Sequence, residues 1–172
     1  MDKALLRAMH RKRRQTWSNH ARSEASHSIV EKAWNVIEPF NSIGLYISTD
    51  EEVDTRLLIE RCFKAHKRVC VPKIVNHSLI FVEIKSLMDC ELNPFGILEP
   101  TSSSPCIEPE LQVIPMLAYN ERKFRLGYGK GYYDQYLKTY SGQTLGLCFK
   151  EDFDNQLVEE PFDISCQRIL TN

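Results

Sequence analysis

The sequence predicts an α/β fold with a mostly parallel central sheet, and three observations support this class. Short apolar runs typical of strands alternate with helical patterns along the whole chain. The 172 residues suit a single domain, 1–172, which can bury a core without disulfides or metals to stabilise it. Hydrophobic residues make up 42% of the chain and charged residues 26%, which argues against disordered, collagen-like and coiled-coil classes.

Two helices are predicted at the start of the chain. Residues 1–14 have a basic helical pattern, and several of their cations share one helix face because they are spaced three or four residues apart. These cations are Lys3, Arg7, Arg11 and Arg14. Ser18 is a suitable N-cap for a second helix, which is expected to end at about Ile37 because Pro39 cannot continue it.

The next segments alternate between strand and helix. Residues 42–48 form an apolar run that predicts a strand, and a polar turn then leads to a third helix with apolar residues between 57 and 62. Two further strands are predicted at 68–75 and 79–84, close enough in sequence to pair as a hairpin. Pro72 is expected at a strand end or a bulge, because it cannot donate to a ladder.

The second half of the chain continues this alternation. Its predicted elements are a loop at 93–109, a strand at 111–115, a glycine-rich turn at 127–131, a helix at 132–139, a strand at 144–149, an acidic loop at 151–163 and a short strand near Ile169. Strands that alternate with helices favour a layered structure in which helices cover a mostly parallel sheet.

Composition and cysteine spacing argue against several classes of protein. No apolar run approaches the roughly 18 residues of a membrane span, and the first residues lack the apolar stretch of a secretory signal. The six cysteines form no CxxC pair and have no histidine at zinc-ligand spacing, which favours reduced thiols in a cytoplasmic protein. The net charge of −1 indicates no class of partner by itself.

The strongest local pattern is the glycine-rich segment Arg125–Asp134. Its alternating glycines permit positive φ angles and let backbone N–H groups approach a ligand closely. The helix expected after them adds oriented N–H groups, and Arg125 and Lys130 add positive charge, so the segment predicts a phosphate-binding turn. It is neither a Walker A loop nor a GxGxxG dinucleotide fingerprint. A plain turn between strand and helix is the alternative.

Other candidate residues each allow more than one interpretation. A carboxylate at Asp134 could ligate Mg²⁺ that bridges phosphate oxygens, or could offset the helix dipole. Tyr132 and Tyr133 could line a ligand site or pack in the core. The basic face of the first helix could be solvated, contact nucleic acid or balance a polyphosphate, and the lack of interleaved aromatic residues disfavours nucleic acid. The acidic segment 151–163 is a solvated loop or a wall beside a metal.

Together with other pieces of the chain, these residues resemble the 5-formyltetrahydrofolate cyclo-ligase family, also called 5,10-methenyltetrahydrofolate synthetases. The segment Arg125–Asp134, followed by Tyr136-Leu137, carries the resemblance. Further matching pieces occur in the same order over nearly the whole chain: Lys3–Arg7, Tyr46–Ser48, Glu51–Thr55, Val71–Lys73, Phe95–Pro100, Val113–Pro115 and Leu147–Phe149. The glycine segment is specific, whereas the shorter pieces gain weight from their order.

The resemblance implies a three-layer α/β/α fold and a reaction. ATP and Mg²⁺ would convert 5-formyltetrahydrofolate to 5,10-methenyltetrahydrofolate, with ADP and phosphate as products. Phosphorylation of the formyl oxygen would create a leaving group, and N10 of the folate would then attack and close the ring. The expected partners are small molecules, ATP and the reduced folate, with no nucleic acid and no membrane. The expected state is a cytoplasmic monomer.

The resemblance also assigns residues to each ligand. The catalytic residues would be Lys130, Arg125 and Tyr133. The ATP site would comprise Lys3, Arg7, Arg125, Leu126, Gly127, Tyr128, Gly129, Lys130, Gly131, Tyr132 and Tyr133. The folate site would comprise Ile47, Glu52, Tyr128, Gly129, Lys130, Gly131 and Tyr132, with the Glu52 carboxylate bonding the amino and ring N–H groups of the pterin. The Mg²⁺ ligands would be Asp134 and Asp163.

The approach to the glycine turn departs from the family pattern at three positions. Met116 stands where the family has a glycine, and Asn120 stands where it has an aspartate. Lys123 stands where the family has a turn glycine. The glycine turn itself keeps the family pattern.

Two other functions stay open from the sequence. One is a sensor that binds a nucleotide or folate without turnover, and ADP release would separate an enzyme from it. The other is a nucleic-acid binder that uses the basic first helix. Strongly salt-dependent binding to random RNA or DNA would indicate this second function.

Overall fold

The helices of the first third of the chain lie close to their predicted positions. A computed structural model describes residues 2–172. Helix α1 spans Lys3–Gln15, α2 spans Asn19–Ile37 and α3 spans Arg56–Lys64. Residue 1, at the start of the predicted first helix, lies outside the described part. The Oγ of Ser18 accepts a 3.1 Å hydrogen bond from the N–H of Ala21, so Ser18 caps α2 as predicted.

The strands form one six-stranded sheet and two small hairpins. They are β1 (Ser42–Gly44), β2 (Arg68–Val75), β3 (Ser78–Ile84), β4 (Cys90–Leu92), β5 (Leu98–Pro100), β6 (Leu111–Pro115), β7 (Ala118–Tyr119), β8 (Arg125–Leu126), β9 (Gln143–Leu147) and β10 (Arg168–Leu170). The large sheet has the order β10-β9-β6-β1-β2-β3. Its neighbours are parallel except β2 and β3, which pair as an antiparallel hairpin. The predicted mostly parallel sheet and the predicted hairpin are confirmed.

Helices cover both faces of this sheet and create three layers. The apolar sides of α2 and α3 pack on one face and form the main core with the strands. The most buried helical residues there are Ile29, Ala33, Ile37, Leu58 and Ile59. On the other face the short helix α4, Tyr132–Leu137, packs through Leu137. Among residues 2–172 no helix combines the length and apolarity that a membrane crossing needs.

The two small hairpins are not predicted from the sequence. β4 pairs with β5 and β7 pairs with β8, both antiparallel. β5 lies inside the segment 93–109, which was expected to be a loop because of its proline, glycine and serine residues. β7 and β8 have two residues each, which is too short for any periodic pattern.

β1 and Pro72 also differ from the prediction. The predicted strand 42–48 forms a ladder only over Ser42–Gly44, although the next residues stay buried. Pro72 lies inside β2, opposite Phe81, rather than at a strand end or bulge. The Phe81 carbonyl instead accepts a 2.8 Å bond from the N–H of Cys106, on the side away from β2. Residues 72 and 81 are therefore a non-hydrogen-bonded pair of the ladder, and the missing N–H of the proline removes no hydrogen bond between β2 and β3.

Candidate active site

One large cleft lies at the carboxyl ends of the central strands. Its volume is about 1060 Å³, and its lining includes Tyr46–Ser48, directly after β1, and Pro115 at the end of β6. Ligands of open α/β sheets commonly bind at this edge. Every residue predicted to contact ATP, folate or metal lines it: Lys3, Arg7, Ile47, Glu52, the segment Arg125–Asp134 and Asp163. The fold therefore brings together residues that lie far apart in the sequence.

The glycine-rich turn forms one wall of this cleft. Gly129 and Gly131 have φ angles of 98° and 69°, in the left-handed region that favours glycine, as predicted. A Cβ atom at position 129 would lie 3.3 Å from the guanidinium carbon of Arg7, so the missing side chain lets α1 approach closely. Nε of Arg7 donates a 2.9 Å hydrogen bond to the carbonyl oxygen of Gly127.

Helix α4 begins directly after the turn and is shorter than predicted. Gly131 is its N-cap residue, and the helix has six residues, ending at Leu137 rather than at residue 139. Such a short helix has a small dipole, so most of the positive charge near the turn comes from side chains.

Helix α1 supplies several of these side chains. Lys3, Arg7 and Arg11 line the cleft, as their shared helix face predicts. Arg14 was expected on the same face, but it is buried and bonds Asp152 instead. The Lys3 ammonium donates hydrogen bonds to Asp163 at 2.5 Å and to Glu160 at 2.7 Å. Burial lowers the pKa of Lys3, but the bonds to these two acids outweigh it, so its pKa lies above the ordinary value.

Arg125 and Asp134 form an ion pair behind the turn. Nη2 of Arg125 donates to Oδ1 of Asp134 at 2.5 Å, and Nη1 donates to the carbonyl oxygen of Ile164 at 2.5 Å. The N–H of Ile164 donates to the same aspartate oxygen at 3.2 Å. The Arg125 side chain is only 3% exposed. This geometry supports a role in orienting Asp134, and the catalytic role of Arg125 stays a prediction.

Asp134 and Asp163 fit the predicted Mg²⁺ site. Each uses one oxygen for internal hydrogen bonds, Oδ1 in Asp134 and Oδ2 in Asp163. The bond from Ile164 holds the residue next to Asp163 against Asp134, so both acids lie in one corner of the cleft. Within residues 2–172 no group of three or more metal-ligating side chains is present. One or two carboxylates suit Mg²⁺, because this ion usually takes water and substrate phosphates as its other ligands.

Another part of the cleft is acidic and aromatic. Oε2 of Glu52 accepts a 2.8 Å bond from the N–H of Thr49, but burial outweighs this bond and raises the pKa of Glu52. The hydroxyls of Tyr128 and Tyr133 are buried and have no hydrogen-bond partner among residues 2–172. Tyr128 lies near Glu52, and burial is the largest cause of the raised pKa of both tyrosines. Both hydroxyls therefore stay protonated, and a buried polar group without a partner is uncommon in a folded protein.

Several lining residues were not predicted. Leu92, Phe95 and Ile97 come from the β4–β5 hairpin, and Phe95 is 86% exposed. Nζ of Lys73 anchors the base of this hairpin by donating to the carbonyl oxygens of residues 100, 101 and 102, at 2.8, 3.2 and 3.1 Å. Phe162, beside Asp163, also lines the cleft. The matching piece Phe95–Pro100 was the available signal for the hairpin.

The three departures from the family pattern leave a well-bonded turn. Lys123 has a φ angle of 63°, so it adopts the left-handed conformation that a glycine would adopt easily. Oδ1 of Asn120 accepts hydrogen bonds from the N–H groups of Arg122 and Phe124, at 3.1 and 3.0 Å. Met116 is 1% exposed and packs in the core. The Asn120 side chain thus holds the turn that precedes the glycine segment.

Comparisons with known proteins agree with the motifs. A sequence model of the 5-formyltetrahydrofolate cyclo-ligase family matches residues 1–172. A 5-formyltetrahydrofolate cyclo-ligase of Haemophilus influenzae is 30% identical over 159 residues, which cover 86% of this chain and 85% of the relative. A probable 5-formyltetrahydrofolate cyclo-ligase of Schizosaccharomyces pombe is 34% identical over 132 residues, which cover 64% of this chain and 63% of the relative.

The fold agrees with a solved structure as well. The NMR structure of 5,10-methenyltetrahydrofolate synthetase from Aquifex aeolicus matches with a TM-score of 0.87 at 25% identity. The match covers 99% of this chain and 89% of that one. The predicted α/β class is confirmed. On the family match and the relatives together, the chain belongs to the 5-formyltetrahydrofolate cyclo-ligase family, which is a family of enzymes.

Proposed function

We propose that this protein is an ATP- and Mg²⁺-dependent cyclo-ligase that converts 5-formyltetrahydrofolate to 5,10-methenyltetrahydrofolate and releases ADP and phosphate. The observation that carries the proposal is the meeting of the predicted ATP, folate and metal residues at one cleft of about 1060 Å³. Pockets for one drug-sized ligand measure about 300–1,000 Å³, so this volume suits two co-substrates side by side. The proposal treats residues 1–172 as one catalytic domain that acts as a monomer.

The reaction needs an activated formyl oxygen, because the oxygen of a formamide is a poor leaving group. Transfer of the γ-phosphoryl group from ATP to this oxygen forms an imidate phosphate and ADP. N10 of the folate then attacks the formyl carbon and gives up its proton, the C–O bond breaks, and phosphate leaves with that proton as the ring closes. In such a reaction the protein contributes mainly position and charge neutralisation.

The nucleotide phosphates are assigned to the glycine turn and α1. The turn offers backbone N–H groups between Gly127 and Tyr133, and Lys130 is exposed on it, beside the cleft. Arg7 already contacts the turn, and Lys3 can exchange its acidic neighbours for a phosphate oxygen. Mg²⁺ held by Asp134 and Asp163 would neutralise phosphate charge when bound.

The pterin is assigned to the acidic and aromatic part of the cleft. The Glu52 carboxylate can accept from the amino and ring N–H groups of a pterin, and Ile47 offers an apolar wall beside it. The unpaired hydroxyl of Tyr128 adds a polar contact near Glu52. The Tyr133 hydroxyl can donate to the formyl oxygen or to the transferring phosphoryl group, which supports the predicted catalytic role of Tyr133.

An absorbance assay tests this function directly. Purified protein with ATP, Mg²⁺ and 5-formyltetrahydrofolate should produce a rise in methenyl absorbance and an equal amount of ADP. The rise should disappear when ATP is omitted. If both ligands bind but no ADP is released, the chain is a sensor rather than an enzyme. If neither ADP nor methenyl product forms and no ligand binds, the assignment of the cleft is wrong as well.

A further inference from the structure

Helix α1 carries two neighbouring stripes of side chains with different surroundings. The stripe that lines the cleft consists of Lys3, Arg7 and Arg11. The stripe that is buried, with exposures of 0%, 0% and 2%, consists of Leu6, His10 and Arg14. Each stripe repeats every four residues and so follows one side of the helix. The contacts of the buried stripe therefore decide where the cleft-lining stripe points.

The polar part of the buried stripe forms a network with the segment after β9. Nδ1 of His10 lies 2.8 Å from Oδ1 of Asp152, and Nε2 lies 3.1 Å from Oδ2 of Asp154. Nε of Arg14 donates to the other oxygen of Asp152 at 2.8 Å. Nη2 of Arg14 also donates to two backbone carbonyl oxygens, at 2.8 and 3.0 Å. Asp152 thus links the two buried polar side chains of the helix.

Both ring nitrogens of His10 lie within hydrogen-bond distance of a carboxylate oxygen. A carboxylate only accepts hydrogen bonds, so a neutral imidazole would direct a lone pair at one of the two acids. The N–H of Gln156 donates to Oδ1 of Asp154 at 2.9 Å. An imidazolium at His10, together with Arg14, would balance the charges of the two aspartates, and Arg13 lies 3.8 Å from Asp152.

We propose that His10, as an imidazolium held between Asp152 and Asp154, is a positioning residue for nucleotide binding. It fixes the rotation of α1 about its axis, and this rotation sets the positions of Lys3 and Arg7 in the cleft. His10 does not line the cleft and acts through the helix that carries it. The inference rests on the proposed function, because it concerns the affinity for ATP.

Kinetics of His10→Gln test the positioning role. The KM for ATP should rise about tenfold, since small displacements of binding groups are costly, while the KM for 5-formyltetrahydrofolate and kcat stay within about twofold. Ile37→Val, a core substitution in α2, is the matched control for lost stability and should leave the KM for ATP unchanged. His20 is an exposed histidine of α2, so His20→Gln should change neither of the two KM values nor kcat. An unchanged KM for ATP in His10→Gln overturns the proposal.

A double variant separates charge from packing. His10→Gln with Asp154→Asn removes one positive and one negative charge, so the KM for ATP should return to within about threefold of the original value. If His10 only fills space, the double variant will be as impaired as His10→Gln or worse. That result would overturn the proposal.

NMR of the ¹⁵N-labelled protein tests the imidazolium without any activity. Both ring nitrogens of His10 should carry a proton at neutral pH, and the Nε2 proton should be lost in Asp154→Asn. One ring proton in the unchanged protein would refute the inference. If the chain forms no methenyl product, or if His10→Gln does not fold, two measurements remain decisive. They are this NMR experiment and calorimetric titration of ATP into the unchanged protein and into Asp154→Asn.

Discussion

Two regions of the molecule, one around α2 and α3 and the other around α1 and α4, are held together in different ways. Under α2 and α3 one continuous apolar cluster fills the interior. On the side of α1 and α4 the apolar clusters are small, and charged pairs join the elements: Arg14 with Asp152, Arg125 with Asp134 and Lys3 with Asp163. Apolar burial is non-directional, whereas hydrogen-bonded pairs require specific geometry. The side of the molecule that must position ligands is therefore the one organised by polar contacts.

Replacing Lys130 should give the largest loss of activity and should leave the core intact. Lys130→Ala removes an exposed cation from the cleft, and kcat/KM for ATP is expected to fall about 100- to 1000-fold. The thermal unfolding midpoint should not change, because the side chain is exposed. The matched control is Lys138→Ala, an exposed lysine at the end of α4. Activity within about threefold of the original would contradict the phosphate assignment.

A core substitution should give the opposite pattern. Leu58→Ala removes a fully buried side chain of α3 and should lower the free energy of unfolding by about 2–5 kcal/mol in a urea titration. Both KM values should stay unchanged while the protein is folded. The neighbouring Leu57 is 60% exposed, so Leu57→Ala should cost no more than about 0.5 kcal/mol. Equal losses in the two variants would show that the main core is not where the burial indicates.

A substitution at Glu52 should distinguish the folate site of the cleft from the nucleotide site. Glu52→Gln is expected to raise the KM for 5-formyltetrahydrofolate about tenfold, because the neutral amide accepts pterin N–H groups less strongly. The KM for ATP should stay within about twofold. Glu60→Gln, on the exposed side of α3, serves as the control. A larger effect on ATP than on folate would show that Glu52 belongs to the nucleotide site.

The raised pKa of Glu52 predicts a modest pH dependence. Burial raises this pKa above its ordinary value of 4.5, so the ligand-free protein retains the proton to a higher pH than the unfolded chain does. Stability from this group is lost as the pH rises from 4.5 through the raised pKa. Folate binding to the ionised form should therefore strengthen over the same interval and then level off. Glu52→Gln should abolish this slope in a calorimetric titration.

The helices and the site residues were largely predictable, because their signals are local. The residue type of Ser18 predicts the N-cap that its side chain forms. The glycines of the turn predict the positive φ angles of Gly129 and Gly131. The family pieces, each only a few residues long, named residues that the fold brings to one cleft. What they could not give is the geometry between them, such as the orientation of Arg125 toward Asp134.

Long-range contacts account for what was missed. His10 meets Asp152 and Asp154, residues 142 and 144 positions away, and nothing near His10 in the sequence marks it as buried. The pairing of β7 with β8 depends on a turn held by the side chain of Asn120. The strand 42–48 reads as one apolar run, but its second half passes beyond the ladder and lines the cleft, and both uses require apolar residues.

If the cleft binds ATP as proposed, the internal pairing of its cations affects how the nucleotide is recruited. Lys3 faces Asp163, and Arg125 faces Asp134, so these charges cancel when viewed from a distance. At physiological salt, fields also decay over about 8 Å, and the chain as a whole carries a net charge of only −1. Diffusing ATP should therefore experience little electrostatic steering, and its association rate should depend only weakly on ionic strength. Selection of ATP over other anions then depends on short-range contacts, in which cations such as Lys3 exchange their acidic partners for phosphate oxygens once the nucleotide is in the cleft.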